Sequence, residues 1–581
     1  MDPGFLERHW RDLPNLAKLR ERGWFARLGT TTPPQSPVAW SSFITGLDPA
    51  EHGIFDFVER DPQTMQPFSS LGVTEESPFR LPLGPYRIPL RSARVRTRRH
   101  GQPFWDVLSD HGIPVMIVRL PVNYPPSRAG DELAGMGTPD LRGSEGTFTY
   151  FTDDPGETPR AVDGGLILKT ALSNGHAELS VEGPSNSLRS DSRPVHAVLS
   201  IDVDPDKPFA TISSGIAQGV IGQGEWSGWL PLDFPLIDHL ARVHGMVRVF
   251  AKQLHPGFEI YVSPVNADPA APALPISTPA SFSRDIAQEI GRYSTLGIPE
   301  DTAALRQGVF DMREYLTAAR LTVSDERALL IESLRRFESG LLVFYFSSVD
   351  QNSHILWGQH ELELLDFYRS VDQAIGDVKL RAPSAQLLIM SDHGFAPFDR
   401  AVHLNAWLRD QGLLAERDGK IDWTRTRAYA LGLNGLYLNL AGREKFGIIH
   451  QGAESRALGD LLRNKLLDFR DPAGDRAVVE TVTPVHAPAF ANTAPDWIVG
   501  YTPGYRASWQ TALGEVPSVE IEDNIDAWIA DHCINAQDVP GVLLAAQPIR
   551  LPDPRLTDLP ATILRMFGVA PPPEMHGRSI F

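Results

Sequence analysis

Two apolar segments that end in polar residues constrain the fold of this chain more than any other feature. They are GLLVFYFSSVD, which ends at Asp350, and AQLLIMSDHG, which ends at Gly394. Each apolar run is too short for a free-standing helix and is typical of a strand buried in a parallel sheet. Between them, apolar residues recur at alternating spacings of four and three from Leu364 to Val378, which predicts a helix packed on that sheet. Open α/β sheets bind ligands beyond the carboxyl ends of their strands, so both polar ends are expected at one crevice.

The same alternation of helix and strand runs from Leu13 to about Pro126 and predicts an α/β fold with a doubly wound, mostly parallel sheet. Between about Ser144 and Phe234 the pattern changes to short Val, Thr and Ile runs broken by turn residues, which predicts an antiparallel β insertion. We therefore predict one discontinuous domain over residues 1–143 and 334–581. Residues 144–333 are predicted to form an inserted cap or stem, β-rich over residues 144–234.

The charge and cysteine content exclude several classes of protein. The formal net charge is −18, from 72 acidic and 54 basic residues, so we expect no nucleic-acid partner bound through its phosphates. A single cysteine, Cys533, excludes an internal disulfide and a cysteine-rich metal site. No apolar run approaches the roughly 18 to 20 residues that span a bilayer, so we expect no membrane span. As written, the chain is expected to be soluble, with the cytoplasm slightly favoured; its oligomeric state stays open.

Ser36 lies at the predicted start of a helix in the segment TTTPPQSPVAWSSFITG. Serine favours the N-cap, proline the first helical position and glycine the residue past the end, so one interpretation is a capping serine. The same position places a hydroxyl where backbone N–H groups and the helix dipole favour negative charge, which suits a phosphoryl-transfer nucleophile. A serine hydroxyl needs a base or a metal to lower its pKa, so the second interpretation depends on metal ligands elsewhere.

Two Asp/His pairs supply candidate metal ligands. Asp350 and His354 follow the first buried strand, and Asp392 and His393 follow the second. Carboxylate and imidazole together suit zinc, manganese or related divalent ions. One such pair alone is more typical of a loop hydrogen bond, but two pairs after consecutive strands favour a metal site. His532, in WIADHC, is a third candidate that spacing alone does not separate from a surface histidine.

In order along the chain, these segments resemble the type I phosphodiesterase and nucleotide pyrophosphatase branch of the alkaline phosphatase superfamily. The segments are TPPQSPVAWSSFITGLDPAEHGIFDF, VDQNSH, SDHGF with the following HLNAWL, and WIADH. The C-terminal DLPATILRMFGVAPPPEMHGRSIF is similar to the last helix of that superfamily. The resemblance implies an alkaline phosphatase-like fold and a metal-dependent phosphoester hydrolase. It matches no motif over about residues 144–333.

The resemblance also implies a site with two divalent ions, with zinc preferred and manganese as the alternative. Ser36 stands where the family has its nucleophile. The implied ligands are Asp350, His354 and His532 for the metal nearer the attacking water, and Asp392 with His393 for the metal on Ser36. His403, in HLNAWL, is interpreted as a residue that supports the site rather than a ligand, and His52, in PAEHGI, as one that stabilises its loop.

Two departures from the family pattern bear on the site. In the family, the first strand ends in a Gly-Asp-Gly-like turn whose aspartate is a further ligand of the nucleophile-side metal, whereas Asp2 lies just beyond that turn. We therefore expect that roughly twenty or fewer residues upstream of Met1 encode a hydrophobic strand and this aspartate. Phe57 replaces the asparagine that contacts phosphate in nucleotide pyrophosphatases, which leaves nucleotide specificity open.

The predicted function is hydrolysis of a small phosphate ester through a phosphoserine at Ser36, with a phosphodiester favoured by the resemblance. The alternatives are a phosphomonoesterase or phosphomutase of the same superfamily, and an inactive binding protein that lacks the first aspartate ligand. A sulfatase fits less well, because SPVAW lacks the arginine of the C/S-x-P-x-R motif. The substrate itself stays open, since the insertion is the segment expected to roof the pocket.

Overall fold

The computed structural model describes residues 1–22, 24–77, 79–91, 93–238 and 240–581. The chain divides into two compact units, each assembled from separate segments. The first unit comprises Met1–Gly72, Arg98–Ile113 and Asn352–Phe581, and the second comprises Val73–Thr97 and Pro114–Gln351. The bounds of these two units differ from the predicted domain boundaries. The domain boundaries stay a prediction.

The first unit is built on a sheet whose middle strand is Gly541–Ala545, an apolar and wholly buried segment. Trp24–Leu28 and Leu388–Met390 flank this strand and pair with it in antiparallel register. The predicted helix after Asp350 extends over Glu361–Arg381 and packs against Pro14–Arg22. Its Asp372 accepts hydrogen bonds from the backbone N–H groups of Asn15 and Leu16 at 2.9 and 2.8 Å. A side-chain carboxylate thus caps the neighbouring helix and fixes its position.

The first unit also contains a large apolar core that is centred on an antiparallel sheet. Its further helices are Pro3–His9, Ser36–Thr45, Pro49–His52, Phe104–Asp110, Leu404–Asp410, Ala453–Leu467, Trp509–Ala512 and Asp558–Met566, with 3-10 turns at Trp10–Asp12 and Pro488–Phe490. Its further strands are Val58–Arg60, Pro67–Ser69, Ala396–Val402, Glu416–Arg417, Lys420–Ile421, Ala428–Ala430, Gly435–Leu438, Val479–Pro484, Trp497–Tyr501, Gly504–Ala507, Ile521–Asp523 and Ala530–Asp531.

The second unit contains parallel strand pairing. Val115–Leu120 lies between Leu341–Phe344 and Asp131–Ala134 and runs parallel to both, while Ser277–Thr278 adds an antiparallel edge. Strands and helices are therefore mixed in this chain, as an α/β fold requires. The doubly wound arrangement stays a prediction.

The rest of the second unit is rich in strands, most of them paired antiparallel, although Phe148–Thr152 and Gly165–Lys169 pair in parallel. The strands are Arg80–Leu83, Tyr86–Pro89, Arg94–Thr97, Phe148–Thr152, Arg160–Val162, Gly165–Lys169, His176–Ser185, Pro194–Val203, Phe209–Ser213, Gln218–Gly222, Leu230–Ile237, Ala241–Val247, Val249–Gln253, Glu259–Val262 and Asn266–Ala267. Gly72–Glu75 starts at the last residue of the first unit. The helices of the second unit are Phe282–Ile290, Thr302–Arg306 and Met312–Arg336. No helix of the described residues has the length and hydropathy needed to cross a membrane.

The strand Pro194–Val203 shows how the β-rich part of the second unit packs. Its buried and more exposed residues alternate, which places every second side chain in the apolar core. Leu199 is fully buried, whereas its neighbour Val198 is 46% exposed on the opposite face.

We predict that Leu199→Ala lowers the free energy of unfolding by about 2 to 5 kcal/mol, because it leaves a cavity in the core. Val198→Ala is the matched control and should cost about 0.5 kcal/mol or less. Urea denaturation of both variants measures the difference. Equal losses would show that this strand does not pack as described.

His52 stabilises the turn that follows the helix Ser36–Thr45. Its imidazole is fully buried, accepts a hydrogen bond at Nδ1 from the N–H of Ile54 at 3.2 Å, and lies 3.0 Å from Ser42 Oγ at Nε2. Since Nδ1 accepts, Nε2 carries the hydrogen and donates it to Ser42. Burial, reinforced by the charge of Arg99, lowers the pKa of His52 to about 3. The neutral ring is thus part of the folded state, in agreement with the predicted loop-stabilising role.

We predict that His52 makes the protein acid-sensitive. Its folded-state pKa lies below the ordinary 6.5, so its contribution is present above pH 6.5 and is lost as the pH falls towards 3. At 1.36 kcal/mol for each pKa unit, the loss between pH 6.5 and 4 is about 3 kcal/mol. Urea denaturation across this range should show a flatter pH dependence for His52→Gln than for the wild type. Parallel pH profiles would contradict the assignment.

Candidate active site

Ser36 is the first residue of the buried helix Ser36–Thr45, and Gln35 is its N-cap. The prediction of a capping serine is therefore wrong by one residue. The predicted C-terminal glycine is correct, because Gly46 adopts a left-handed conformation with φ 67°. Ser36 is 5% exposed, and its Oγ lies 3.0 Å from Nε2 of His393.

The side chain of Gln35 does not cap the helix because two other residues hold it. Its Nε2 donates to Asp56 Oδ2 and to Asn434 Oδ1, each at 2.7 Å. Asn434 in turn donates to the carbonyl oxygen of Cys533, next to His532, at 3.1 Å. Burial raises the pKa of Asp56 to about 6, although hydrogen bonds from Gln35 and from backbone N–H groups act to lower it. This buried network joins the segment before Ser36 to the segment that carries His532.

Asp350 and His354 lie on one helix, Ser348–Leu356. Asp350 does not end the preceding strand directly, since Leu341–Phe344 stops six residues earlier. The four-residue spacing places both side chains on the same face of the helix. With His532, which follows the strand Ala530–Asp531, they offer one ligand atom each, all within 4.8 Å of one another.

Backbone carbonyls fix the tautomers of these histidines. His354 Nδ1 lies 2.7 Å from the carbonyl oxygen of Ala530, and His532 Nδ1 lies 2.7 Å from that of Pro34. A carbonyl oxygen only accepts, so each Nδ1 carries the hydrogen and each Nε2 keeps its lone pair. This arrangement is typical of metal-binding histidines, whose second nitrogen is held by a hydrogen bond. The rings are also packed, since His354 stacks on Trp528 with centroids 3.8 Å apart.

His393 follows the same pattern on the side of Ser36. Its Nδ1 lies 3.1 Å from the carbonyl oxygen of Gly394, so its Nε2 is left to accept the hydrogen of the Ser36 hydroxyl. Burial and the neighbouring His532 hold the pKa of His393 well below its ordinary value, so the ring is neutral. Asp392 Oδ2 lies 3.3 Å from the same Nε2, and the His532 ring stacks on His393 with centroids 3.5 Å apart. The two predicted ligand sets therefore meet at this pair of rings.

A second cluster of possible ligands, Asp531, His532 and Cys533, does not fit a metal site. Asp531 accepts hydrogen bonds from the N–H groups of His532 and Cys533 and from Trp528 Nε1, and it forms an ion pair with Arg506. Burial acts to raise the pKa of Asp531, but Arg506 and the nearby imidazoles hold it well below its ordinary value. Burial raises the pKa of the Cys533 thiol well above its ordinary value, so the thiol stays protonated. Asp531 therefore anchors its loop.

Two other residues that the sequence singled out have structural contacts. His403 lies 2.8 Å from Ser508 Oγ through Nδ1 and 3.1 Å from Glu522 Oε1 through Nε2. Asp2 caps the helix Pro3–His9 by accepting from the N–H of Phe5 at 2.8 Å. Neither contact places these residues in the cluster of Asp350, His354 and His532.

Sequence reasoning missed Gln35, Asp56, Asn434 and Trp528. Three of these residues lie in the family-like segments around Ser36, His52 and His532, namely Gln35, Asp56 and Trp528. Their closeness in sequence to these residues is the signal that could have identified them. Asn434 lies far from every motif, and no pattern around it indicates its contacts.

The donor set fits a divalent metal ion. Nε2 atoms of His354 and His532 with the carboxylate of Asp350 supply nitrogen and oxygen ligands, which zinc and manganese accept. Asp392 and His393 supply the same types of atom beside Ser36.

Comparison with known proteins agrees with the motifs. The family model for type I phosphodiesterase / nucleotide pyrophosphatase matches residues 1–161 and 250–507. No curated protein matches the chain in sequence.

Solved structures that match the chain have low sequence identity. Phosphonoacetate hydrolase from Sinorhizobium meliloti 1021, in complex with phosphonoacetate, has 13% identity and a TM-score of 0.45, with 96% of this chain and 92% of that one covered. Murine ectonucleotide pyrophosphatase / phosphodiesterase 5 has 10% identity and a TM-score of 0.39, with 97% and 91% covered. Wild-type alkaline phosphatase PafA has 11% identity and a TM-score of 0.41, with 100% and 96% covered.

The family model spans well over half of the chain, in two blocks that contain Ser36 and both Asp/His pairs. The family resemblance found in the motifs is thereby confirmed. The chain belongs to the type I phosphodiesterase / nucleotide pyrophosphatase family of phosphoester hydrolases.

Proposed function

We propose that this protein hydrolyses a small phosphate ester, with Ser36 as the nucleophile and two divalent metal ions, preferably zinc. The observation that carries the proposal is the Ser36 hydroxyl at the start of a buried helix, 3.0 Å from a neutral His393 and next to the stacked His532. Asp350, His354 and His532 would hold one ion, and Asp392 with His393 the other. When bound, such ions supply positive charge that stabilises the negative charge developing on the attacking and leaving oxygens.

The residues of the chain perform three tasks in this reaction. The fixed Nδ1–H bonds orient the imidazoles, so their Nε2 lone pairs meet the ligand without rearrangement. The N-terminus of the helix Ser36–Thr45 favours negative charge on Ser36 Oγ and on a phosphoryl group attached there. Burial of Ser36 limits access of water to the nucleophile.

The reaction proceeds by two displacements at phosphorus. In the first, the bond from Ser36 Oγ to phosphorus forms while the bond from phosphorus to the leaving alcohol breaks, and the alcohol takes up a proton. In the second, water attacks phosphorus, the bond to Ser36 breaks and the serine regains its proton. Retention of configuration at phosphorus follows from two inversions. A diester is the favoured substrate, and a monoester is the alternative within the same chemistry.

We predict that Ser36→Ala lowers turnover of phosphate esters by about a thousandfold or more, because the group that forms the bond to phosphorus is absent. Stability should change little, since Ser36 does not cap its helix. Steady-state assays on bis-p-nitrophenyl phosphate and p-nitrophenyl phosphate with zinc or manganese measure the loss.

Ser41→Ala is the matched control for Ser36→Ala. Ser41 is buried on the same helix, and its hydroxyl donates to the carbonyl oxygen of Pro37 in that helix at 2.6 Å. Near wild-type turnover by Ser36→Ala would eliminate Ser36 as the nucleophile.

We predict that His532→Ala removes one tightly bound ion, since its imidazole is one of three donors in the cluster with Asp350 and His354. Metal analysis after dialysis against zinc should show about one zinc fewer for each chain than in the wild type. His576→Ala is the control, because this side chain is 68% exposed and contacts Glu51 at the surface. A wild-type protein that retains no zinc or manganese would instead support the inactive binding protein.

A further inference from the structure

Two buried glutamates, Glu326 and Glu300, lie at the start of the helix that carries Asp350 and His354. Glu326 lies on the helix Met312–Arg336 and is 1% exposed, and Glu300 precedes the helix Thr302–Arg306 and is 4% exposed. Neither residue belongs to a sequence motif of the proposed function. The two carboxyl groups are buried beside the same hydroxyl, that of Ser347. This arrangement needs a physical explanation, because an unpaired buried charge lowers the stability of the folded state.

Glu326 binds the start of the metal-ligand helix. Its Oε1 accepts from the N–H groups of Ser347 and Ser348 at 2.6 and 3.3 Å, and its Oε2 accepts from Ser348 Oγ at 2.8 Å. The first N–H groups of a helix are not used by its own backbone ladder, and the helix dipole favours a negative charge at this end. Glu326 therefore has the contacts of a carboxylate.

The hydroxyl of Ser347 determines which glutamate carries a proton. Its Oγ lies 3.0 Å from Glu326 Oε1 and 3.1 and 3.2 Å from the two oxygens of Glu300. The hydroxyl has one hydrogen and cannot donate to both carboxyl groups. Because Glu326 already accepts from three other donors, we assign the carboxylate to Glu326. Glu300 is then the neutral acid, which donates its own proton to Ser347 Oγ while Ser347 donates to Glu326.

The surrounding charges agree with this assignment. Burial raises the pKa of both glutamates, that of Glu300 to about 8, so a proton on Glu300 at neutral pH is expected. Arg119 is the cation that acts on both groups, and its guanidinium donates to the carbonyl oxygens of Ser294 and Leu296 rather than to a carboxylate. One negative charge at Glu326, balanced by Arg119 and the helix N-terminus, leaves no excess buried charge.

We propose that Glu326 is a positioning residue for the metal-ligand helix, held in place by the chain Glu300–Ser347–Glu326. This inference rests on the proposed function, since it assigns a purpose to the helix of Asp350 and His354. Four hydrogen bonds from Ser347 and Ser348 to the Glu326 carboxylate fix where the helix starts and how it is rotated about its axis. A helix turns by 100° for each residue, so a one-residue slip of its start would turn the side chains of Asp350 and His354 to another face of the helix. Glu326 acts on the ions through the helix and does not touch them.

The test is titration of the metal-free protein with cobalt(II), whose visible absorption reports the number and geometry of ligands. The wild type should bind cobalt and give an intense spectrum in the visible range. Glu326→Gln should weaken cobalt affinity by about 10- to 100-fold and change the spectrum, as loss of a residue behind a metal ligand does. Glu300→Gln should change affinity less than threefold, because a neutral amide can still donate to Ser347 Oγ.

Glu332→Gln is the matched control for Glu326→Gln. Glu332 lies on the same helix and is 4% exposed, but it pairs with Arg335 and Arg336 instead of the metal-ligand helix. Its cobalt affinity and spectrum should equal those of the wild type. If Glu326→Gln fails to fold, Ser348→Ala replaces it, since this variant removes one hydrogen bond to Glu326 and should weaken cobalt binding roughly threefold.

The outcomes separate the two proposals. A wild-type protein that binds no cobalt overturns the proposed function and the positioning role with it. Wild-type binding together with unchanged affinity and spectrum in Glu326→Gln, or in Ser348→Ala if the first variant is unfolded, overturns the positioning role alone. Equal damage from Glu300→Gln and Glu326→Gln would refute the assignment of the proton.

Discussion

The hydrogen bond from an imidazole Nδ1 to a backbone carbonyl is the interaction on which the candidate site depends. His354, His532 and His393 each make it, to the carbonyls of Ala530, Pro34 and Gly394. It sets the tautomer, leaves Nε2 as the atom that faces a ligand, and prevents the ring from turning. The bond to Pro34 also joins the loop of His532 to the segment that leads into Ser36. Without these contacts the same residues would be ordinary buried histidines.

The types of ligand could be predicted from the sequence, because the Asp/His pairs are visible in it. The grouping of Asp350, His354 and His532 follows from the family resemblance, and in the structure one ligand atom of each lies within 4.8 Å of the others. The sequence correctly predicts Ser36 at a helix N-terminus, but Gln35 and not Ser36 occupies the N-cap position. Capping preferences describe an isolated helix. In the folded chain, the side chain of Gln35 is held by Asp56 and Asn434. The hydroxyl of Ser36 faces His393 instead of capping the helix, so tertiary contacts determine what each side chain does at this helix end.

Strand direction could not be predicted in the same way. The runs that form Leu388–Met390 and Gly541–Ala545 are both continuous and apolar, and a buried strand looks alike whichever way its neighbour runs. Glu326 illustrates a further limit, since a glutamate within an amphipathic helical pattern is normally solvent-exposed. Glu326 is buried because Ser347 and Ser348, more than twenty residues further along the chain, pack against it. The hydrophobic periodicity of a helix does not predict a contact of this kind.

The sequence separation between contacting residues of the first unit affects how the chain folds during its synthesis. The contact between Pro34 and His532 closes over 498 residues, and at synthesis rates of 5 to 20 residues per second the two are made about 25 to 100 seconds apart. Contacts of such long range form slowly, because loop closure must precede them. The segment with Ser36 is therefore finished long before its partners exist. During that interval its apolar helix lacks the C-terminal surfaces, such as the helix Asp558–Met566, against which it packs in the folded unit.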